Sequence, residues 1–239
     1  MIWILGGTSE AVELARAIKR DDYVVTVTTY AGLEQLKGCN GIVSKMGLEE
    51  MVVFIEENSV ETVVDMSHPF AYEATENSTE ASRRSGVKHI RYVRESSKEQ
   101  FGKQFSSLEE LKRYISTVSG NVFFTTGINT IEEFESVKRY NRFIYRVLPT
   151  VFSLEKCVSS GVKIEDIVAA MGPYTVEFNM AMFRNYGADF VVMKDSGSRG
   201  GTSEKIEACR RLGIEALILS RRDQEVGISD IGEILEMID

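Results

Sequence analysis

Stretches that are apolar almost from end to end alternate along this chain with stretches of helical periodicity. The apolar runs lie near 2–5, 23–29, 62–66, 89–93, 122–126, 143–147, 167–171, 190–193 and 216–219. Runs of strand length without polar alternation are covered on both faces, which is the condition of a parallel sheet between layers of helix. Helical patterns stand between them, among them 10–20, 49–57, 72–84, 108–116, 176–186 and 203–212, and Gly187 and Gly213 stop two of these. The expected fold is α/β. Four of these runs precede Ser119-Gly120-Asn121 and five follow, so two similar α/β halves, 1–120 and 121–239, are expected.

Charge and cysteine usage remove several classes of function. The 28 Lys and Arg are outnumbered by 36 Asp and Glu, for a net charge of -8, which argues against non-specific nucleic-acid binding. An anionic ligand has to find a local positive patch. Cys39, Cys157 and Cys209 are odd in number, far apart and accompanied only by His68 and His89, so neither a disulfide framework nor a metal site is expected. No apolar stretch reaches the roughly 18 residues of a membrane span, and no basic leader precedes "MIWIL". These features point to a reducing cytoplasm and no membrane partner.

In open α/β sheets ligands bind beyond the carboxyl ends of the strands, so the residues that follow each apolar run carry the information. After the first run come Gly6, Gly7, Thr8, Ser9 and Glu10. Paired glycines allow a ligand close to the backbone, and Thr8 or Ser9 can cap a helix whose free N–H groups favour a phosphate. The full G-x-G-x-x-G fingerprint is not present, so a plain strand-to-helix turn fits the same residues. After the second run Thr28 and Thr29 stand where a carboxylate would hold an adenosine ribose 2′-hydroxyl, which leans the choice of dinucleotide toward the phosphorylated form. After the third, Asp65, Ser67 and His68 crowd the strand end and Pro69 sets the turn. His68 can donate a proton or bind a ligand, or it can cap the helix or brace Asp65. His89, inside an apolar run, reads as a satisfied core residue. Later strand ends add Arg94, Thr125, Thr126, Gly127, Arg146, Gly172, Pro173, Lys194, Asp195 and Glu204.

The stretches "ILGGTSEA", "DMSHPFA", "RYVRE", "TTG", "RVLP", "GPY" and above all "KDSGSRGGTSEK", followed by "LILSRR", resemble the precorrin-6A reductase family of corrin-ring biosynthesis, including the cobalt-precorrin-6A reductases. The resemblance runs through nearly the whole chain. Two departures are Ser198-Arg199, where a plainer glycine-rich run is common, and Arg222, where a proline commonly follows the arginine.

The resemblance implies two Rossmann-like domains with mainly parallel sheets and an interdomain cleft. It implies hydride transfer from a nicotinamide dinucleotide, NADPH with NADH possible, to a ring double bond of a tetrapyrrole, precorrin-6A or its cobalt complex, giving the 6B form. In that light Gly6, Gly7, Thr8, Ser9, Glu10, Thr28, Ser67, His68 and Pro69 are expected to hold the cofactor. Arg94, Thr126, Gly127, Arg146, Gly172, Pro173, Tyr174, Lys194, Ser196, Gly197, Gly200 and Gly201 are expected to hold the substrate carboxylates, and His68, Lys194 and Asp195 to serve catalysis. Lys194 would add a point charge to a glycine-rich turn, with Asp195 orienting Lys194 or capping the turn, or the two would be an ordinary surface pair. Two other readings share the layout. One is a non-catalytic two-domain effector- or nucleotide-binding module. The other is a different nicotinamide or sugar-nucleotide enzyme, for which a Tyr-x-x-x-Lys pair would be usual; none occurs.

Overall fold

The computed structural model describes residues 1–94, 101–221 and 226–238. It divides into two compact units, one of Met1–Arg94 with Gln224–Asp239 and one of Glu95–Asp223.

In the first unit the elements run β1 (Ile2–Leu5), α1 (Ser9–Ala17), β2 (Tyr23–Val27), α2 (Tyr30–Gln35), β3 (Gly41–Val43), α3 (Leu48–Glu57), β4 (Thr62–Asp65), α4 (Tyr72–Ser85) and β5 (Lys88–Arg91). The strands form a parallel sheet in the order β3-β2-β1-β4-β5. Strand β1 shows why its run has no polar alternation. Ile2 and Ile4 pack with Ala11, Leu14, Val25 and Val64 on one face, while Trp3 and Leu5 pack with Met51, Ile55 and Val63 on the other. Both faces are dry, so both sets of side chains must be apolar.

The second unit runs β6 (Lys103–Phe105), α5 (Leu108–Ile115), β7 (Asn121–Phe124), α6 (Ile131–Glu135), β8 (Arg142–Val147), α7 (Val151–Ser159), β9 (Ile167–Ala169), α8 (Val176–Asn185), β10 (Phe190–Lys194), α9 (Thr202–Leu212) and β11 (Glu215–Leu219). Its sheet is also parallel, in the order β6-β11-β10-β7-β8-β9. The chain then contributes α10 (Ile231–Ile238) to the first unit, where Ile234 and Ile238 are buried in the core beside α1.

The units therefore do not follow a division at residue 120. Lys103–Phe105 pairs with β11, more than a hundred residues downstream, which draws α5 into the second unit. The apolar face of α10 is needed by the first core, so that unit is discontinuous in sequence. Of the expected features, Arg222 and the Glu95, Ser96 and Ser97 that follow Arg94 lie outside the described residues.

Candidate functional site

The exit of β1 is a turn that only glycine fits. A Cβ on Gly6 would stand 2.7 Å from Val25 Cγ1, so the turn is pressed against β2. Gly7 has φ +108, and the space where its Cβ would point is open. Bare backbone thus faces an open volume at the start of α1, as a bound pyrophosphate requires. Thr8 holds the turn from behind: its hydroxyl donates to the Met66 carbonyl at 2.9 Å and accepts the Ala11 N–H at 3.2 Å.

The open volume is a cavity of ≈ 480 Å³ at the carboxyl ends of the strands, within the size range of ligand sites. Of the expected cofactor residues, Gly6, Gly7, Thr28, Ser67 and His68 line it. The His68 Nδ1 accepts the Phe70 N–H at 3.2 Å, which fixes the turn that Pro69 begins and assigns the ring proton to Nε2 of a neutral imidazole. Beneath it Asp65, fully buried, accepts the Ser67 N–H at 2.9 Å and pairs with Arg91 at 3.0 Å. The cavity wall also includes Ser44 and Lys45, which follow a strand, β3, only three residues long and too short to mark its own end in the sequence.

Of the other expected cofactor residues, Pro69 is buried and Ser9 is exposed. Ser9 donates to Glu10 at 2.9 Å. Glu10 is fully buried and takes a two-pronged grip from Arg94, with Nε to Oε1 at 2.5 Å and Nη2 to Oε2 at 2.6 Å. Arg94, expected at the substrate, is thus 9% exposed and turned onto helix α1 instead. His89 is a partly buried residue whose Nε2 meets Ser78 Oγ at 3.2 Å, and burial lowers its pKa.

In the second unit the stretch after β10 is a turn built on its own hydrogen bonds. Asp195 Oδ1 accepts the Gly197 N–H at 3.2 Å. The Ser196 N–H donates to Thr202 Oγ1 at 3.2 Å. Gly200 closes a single 3-10 turn, and Gly201 takes φ +69 at the start of α9, with its missing Cβ 3.4 Å from Pro173. That contact brings Gly172, Pro173 and Tyr174 against the turn. The Arg146 guanidinium lies 4.9 Å from the Tyr174 ring centroid and donates to Asn179 Oδ1 at 2.9 Å. Thr126 and Gly127 end β7, where the Thr126 hydroxyl meets that of Thr130 at 2.9 Å and Gly127 has φ +77.

Three cations in this unit are buried or half-buried. Burial lowers the pKa of Lys194, brings Arg146 down to about 10, and brings Lys205 down to about 8. Arg146 deepens the Lys205 shift, while Glu204 and Asp195 oppose it. Lys205 is 7% exposed, with its ammonium 3.5 Å from the Gly200 carbonyl directly under the turn. Tyr174 Oη and Glu204 Oε2 are buried there without a hydrogen-bond partner. Desolvated cations beside unsatisfied polar atoms are costly to the fold.

The sign of that cost can be measured. Unfolded Lys205 binds its proton up to a pH near 10.5 and folded Lys205 only up to about 8, so the unfolded state holds more protons in that window. Stability is expected to rise between those pH values, with Lys194 adding in the same direction. In Lys205→Met the rise should shrink and stability at pH 7 should increase. An unchanged slope in denaturant titrations across that range would contradict it.

The geometry is matched across the chain by known proteins. The family model described as precorrin-6x reductase CbiJ/CobK matches residues 1–239. The chain belongs to that family. It is an oxidoreductase of corrin-ring biosynthesis, acting on a ring carbon–carbon double bond with a nicotinamide cofactor. The effector-binding module is not favoured. The reductase is 34% identical to the cobalt-precorrin-6A reductase of Priestia megaterium over 236 residues, covering 95% of this chain and 92% of the relative. It is 30% identical to that of Salmonella typhimurium over 231 residues, covering 92% and 87%. The solved structure of CobK precorrin-6A reductase superposes with a TM-score of 0.80 at 22% identity, covering 99% of the reductase and 95% of that chain, which shows the shared fold. Among the described residues no helix is long and apolar enough to cross a membrane.

Proposed function

We propose that the reductase reduces a ring double bond of precorrin-6A or its cobalt complex to the 6B form with NADPH as hydride source. The carrying observation is the cavity that gathers Gly6, Gly7, Thr28, Ser67 and His68 at the ends of β1, β2 and β4. In a parallel sheet that is where a dinucleotide lies, with its pyrophosphate over the first turn. The cofactor supplies the hydride chemistry. The protein's share is to orient two large ligands and to meet their charges.

His68 lines the cavity at the β4 end, where the nicotinamide half is expected. Lys194, Arg146 and Lys205, beside the turn that holds Gly197, Gly200 and Gly201, form a positive region in an acidic protein, suited to the acetate and propionate groups of a tetrapyrrole. Asp195 serves that region by shaping the turn. NADPH is favoured over NADH by Thr28, which leaves the ribose 2′ position without a carboxylate.

The test is turnover with metal-free and cobalt-loaded substrate against both dinucleotides. His68→Ala is expected to lower turnover about tenfold, the value of one well-placed hydrogen bond, at nearly unchanged thermal stability. If melting temperature falls while turnover holds, His68 only braces the turn through Phe70.

A further inference from the structure

The segment that leaves β4 supplies Ser67 and His68 to the cavity wall, and a buried pair of opposite charges holds it from below. Asp65 ends β4 and Arg91 ends β5, and the two are partners in the parallel register. Together they engage every polar group of Ser67. Asp65 Oδ1 accepts the Ser67 N–H at 2.9 Å, while Arg91 Nη1 lies 3.2 Å from the Ser67 carbonyl oxygen and 3.2 Å from its hydroxyl. The same nitrogen reaches the Asp65 carbonyl at 3.4 Å and closes the clamp on Asp65 Oδ1 at 3.0 Å. The Ser67 hydroxyl also meets Thr75 Oγ1 of α4 at 3.3 Å. Neither Asp65 nor Arg91 is among the residues that line the cavity.

Stability alone does not call for charges at this place. Both side chains are buried, and Asp65 Oδ2 has no hydrogen-bond partner among the described residues. Val63, two residues earlier on the same face of β4, packs with Met51, Ile55 and Ala81 in an apolar cluster. Apolar side chains of similar volume in place of a buried ion pair are often neutral or stabilising. An apolar pair, however, cannot grip a peptide. A guanidinium presents its donors in a fixed plane, and here they meet the carbonyl and the hydroxyl of one residue at once. Because the clamp stands on two adjacent strands, it passes their rigidity to the main chain that enters His68.

We infer that Asp65 and Arg91 are positioning residues for hydride transfer, which fix the Ser67–His68 segment on the β4 side of the cavity without touching either ligand. This rests on the reading of the first unit as the dinucleotide site. With its hydroxyl held by Arg91 and Thr75, Ser67 serves to fasten the main chain. The pyrophosphate is anchored on the β1 turn, so loosening the β4 segment moves the reacting end of the cofactor more than it weakens the cofactor's hold. A misplacement of about 1 Å can slow a reaction by about 10²-fold.

The experiment compares the wild type, Arg91→Lys, Asp65→Leu combined with Arg91→Met, and Gly7→Val, using the substrate form, metal-free or cobalt-loaded, that the wild type turns over. Melting temperature, the NADP+ dissociation constant, steady-state kcat and KM, and the single-turnover rate of NADPH oxidation are measured for each. Arg91→Lys keeps the ion pair but replaces the planar fork with a point charge, and the double variant strands no charge. In both, kcat and the single-turnover rate should fall about tenfold or more, with KM and the NADP+ constant within about threefold of wild type. If the double variant does not fold, Arg91→Lys decides alone. A folded Arg91→Lys that oxidises NADPH at the wild-type rate overturns the inference, as does a rate that falls only in step with NADP+ affinity. Failure of both variants to fold makes the pair structural and overturns it too. Gly7→Val separates this inference from the reading beneath it. An unchanged NADP+ constant there removes the dinucleotide from the cavity and the clamp's role with it, whereas a raised constant beside wild-type rates in Arg91→Lys removes the clamp's role alone.

Discussion

Gly7→Val is expected to raise the dissociation constant for dinucleotide by about 100-fold. Two physical effects act together. At φ +108 a β-branched residue is strained by roughly 1–3 kcal/mol, so the turn changes shape. The added methyls also occupy the open space above the backbone, where no protein atom lies within 4 Å and where a pyrophosphate would approach. Because nothing in the protein is struck, the sheet should survive, and Gly7→Ala should fall between the two. Calorimetric titration decides it: an unchanged constant in the valine variant removes the first turn from the site.

The second large effect concerns stability rather than binding. Glu10→Ala removes the carboxylate whose two oxygens hold the Arg94 guanidinium, a group 9% exposed, and is expected to lower the unfolding free energy by about 3 kcal/mol. Replacing both partners with methionine should restore most of the loss, since a matched apolar pair leaves no charge stranded. The pair also has a pH signature. Burial alone would raise the Glu10 pKa, but Arg94 outweighs it, and the folded value lies below the ordinary 4.5. Its stabilisation is therefore complete above pH 4.5 and lost as pH falls through the lower folded value. Acid unfolding of Glu10→Ala should lack that component; denaturant midpoints that match the wild type at pH 7 would contradict the assignment.

What could be read from the sequence follows from how each signal is stored. The long strands, β1 and β10 among them, declare themselves because residues covered on both faces must be apolar one after another. The short edge strands do not. "GIV" at β3 and "KQF" at β6 are three residues each, and their identity as strands resides in the partners β2 and β11. The end of β3, and with it Lys45, therefore carries no local signal in the sequence, although Thr28 beside it does. The turn after β1 and His68 were legible because strand, glycine and helix follow one another locally. The Glu10–Arg94 grip was not, because its partners stand 84 residues apart and each looks like an ordinary exposed charge in its own segment. Lys205 was hidden differently: it sits in a charged helical pattern, and only the packing of α9 shows that it points under the turn.

The return of α10 to the first unit sets an order on synthesis. A ribosome releases β1 and α1 first, yet the apolar groove beside α1 is closed by Ile234 and Ile238, which emerge only after the whole second unit has been translated. The nascent first unit must wait with that groove uncovered, open to chaperones or to aggregation, while the later-made second unit has all of its strands in hand and can finish folding before it.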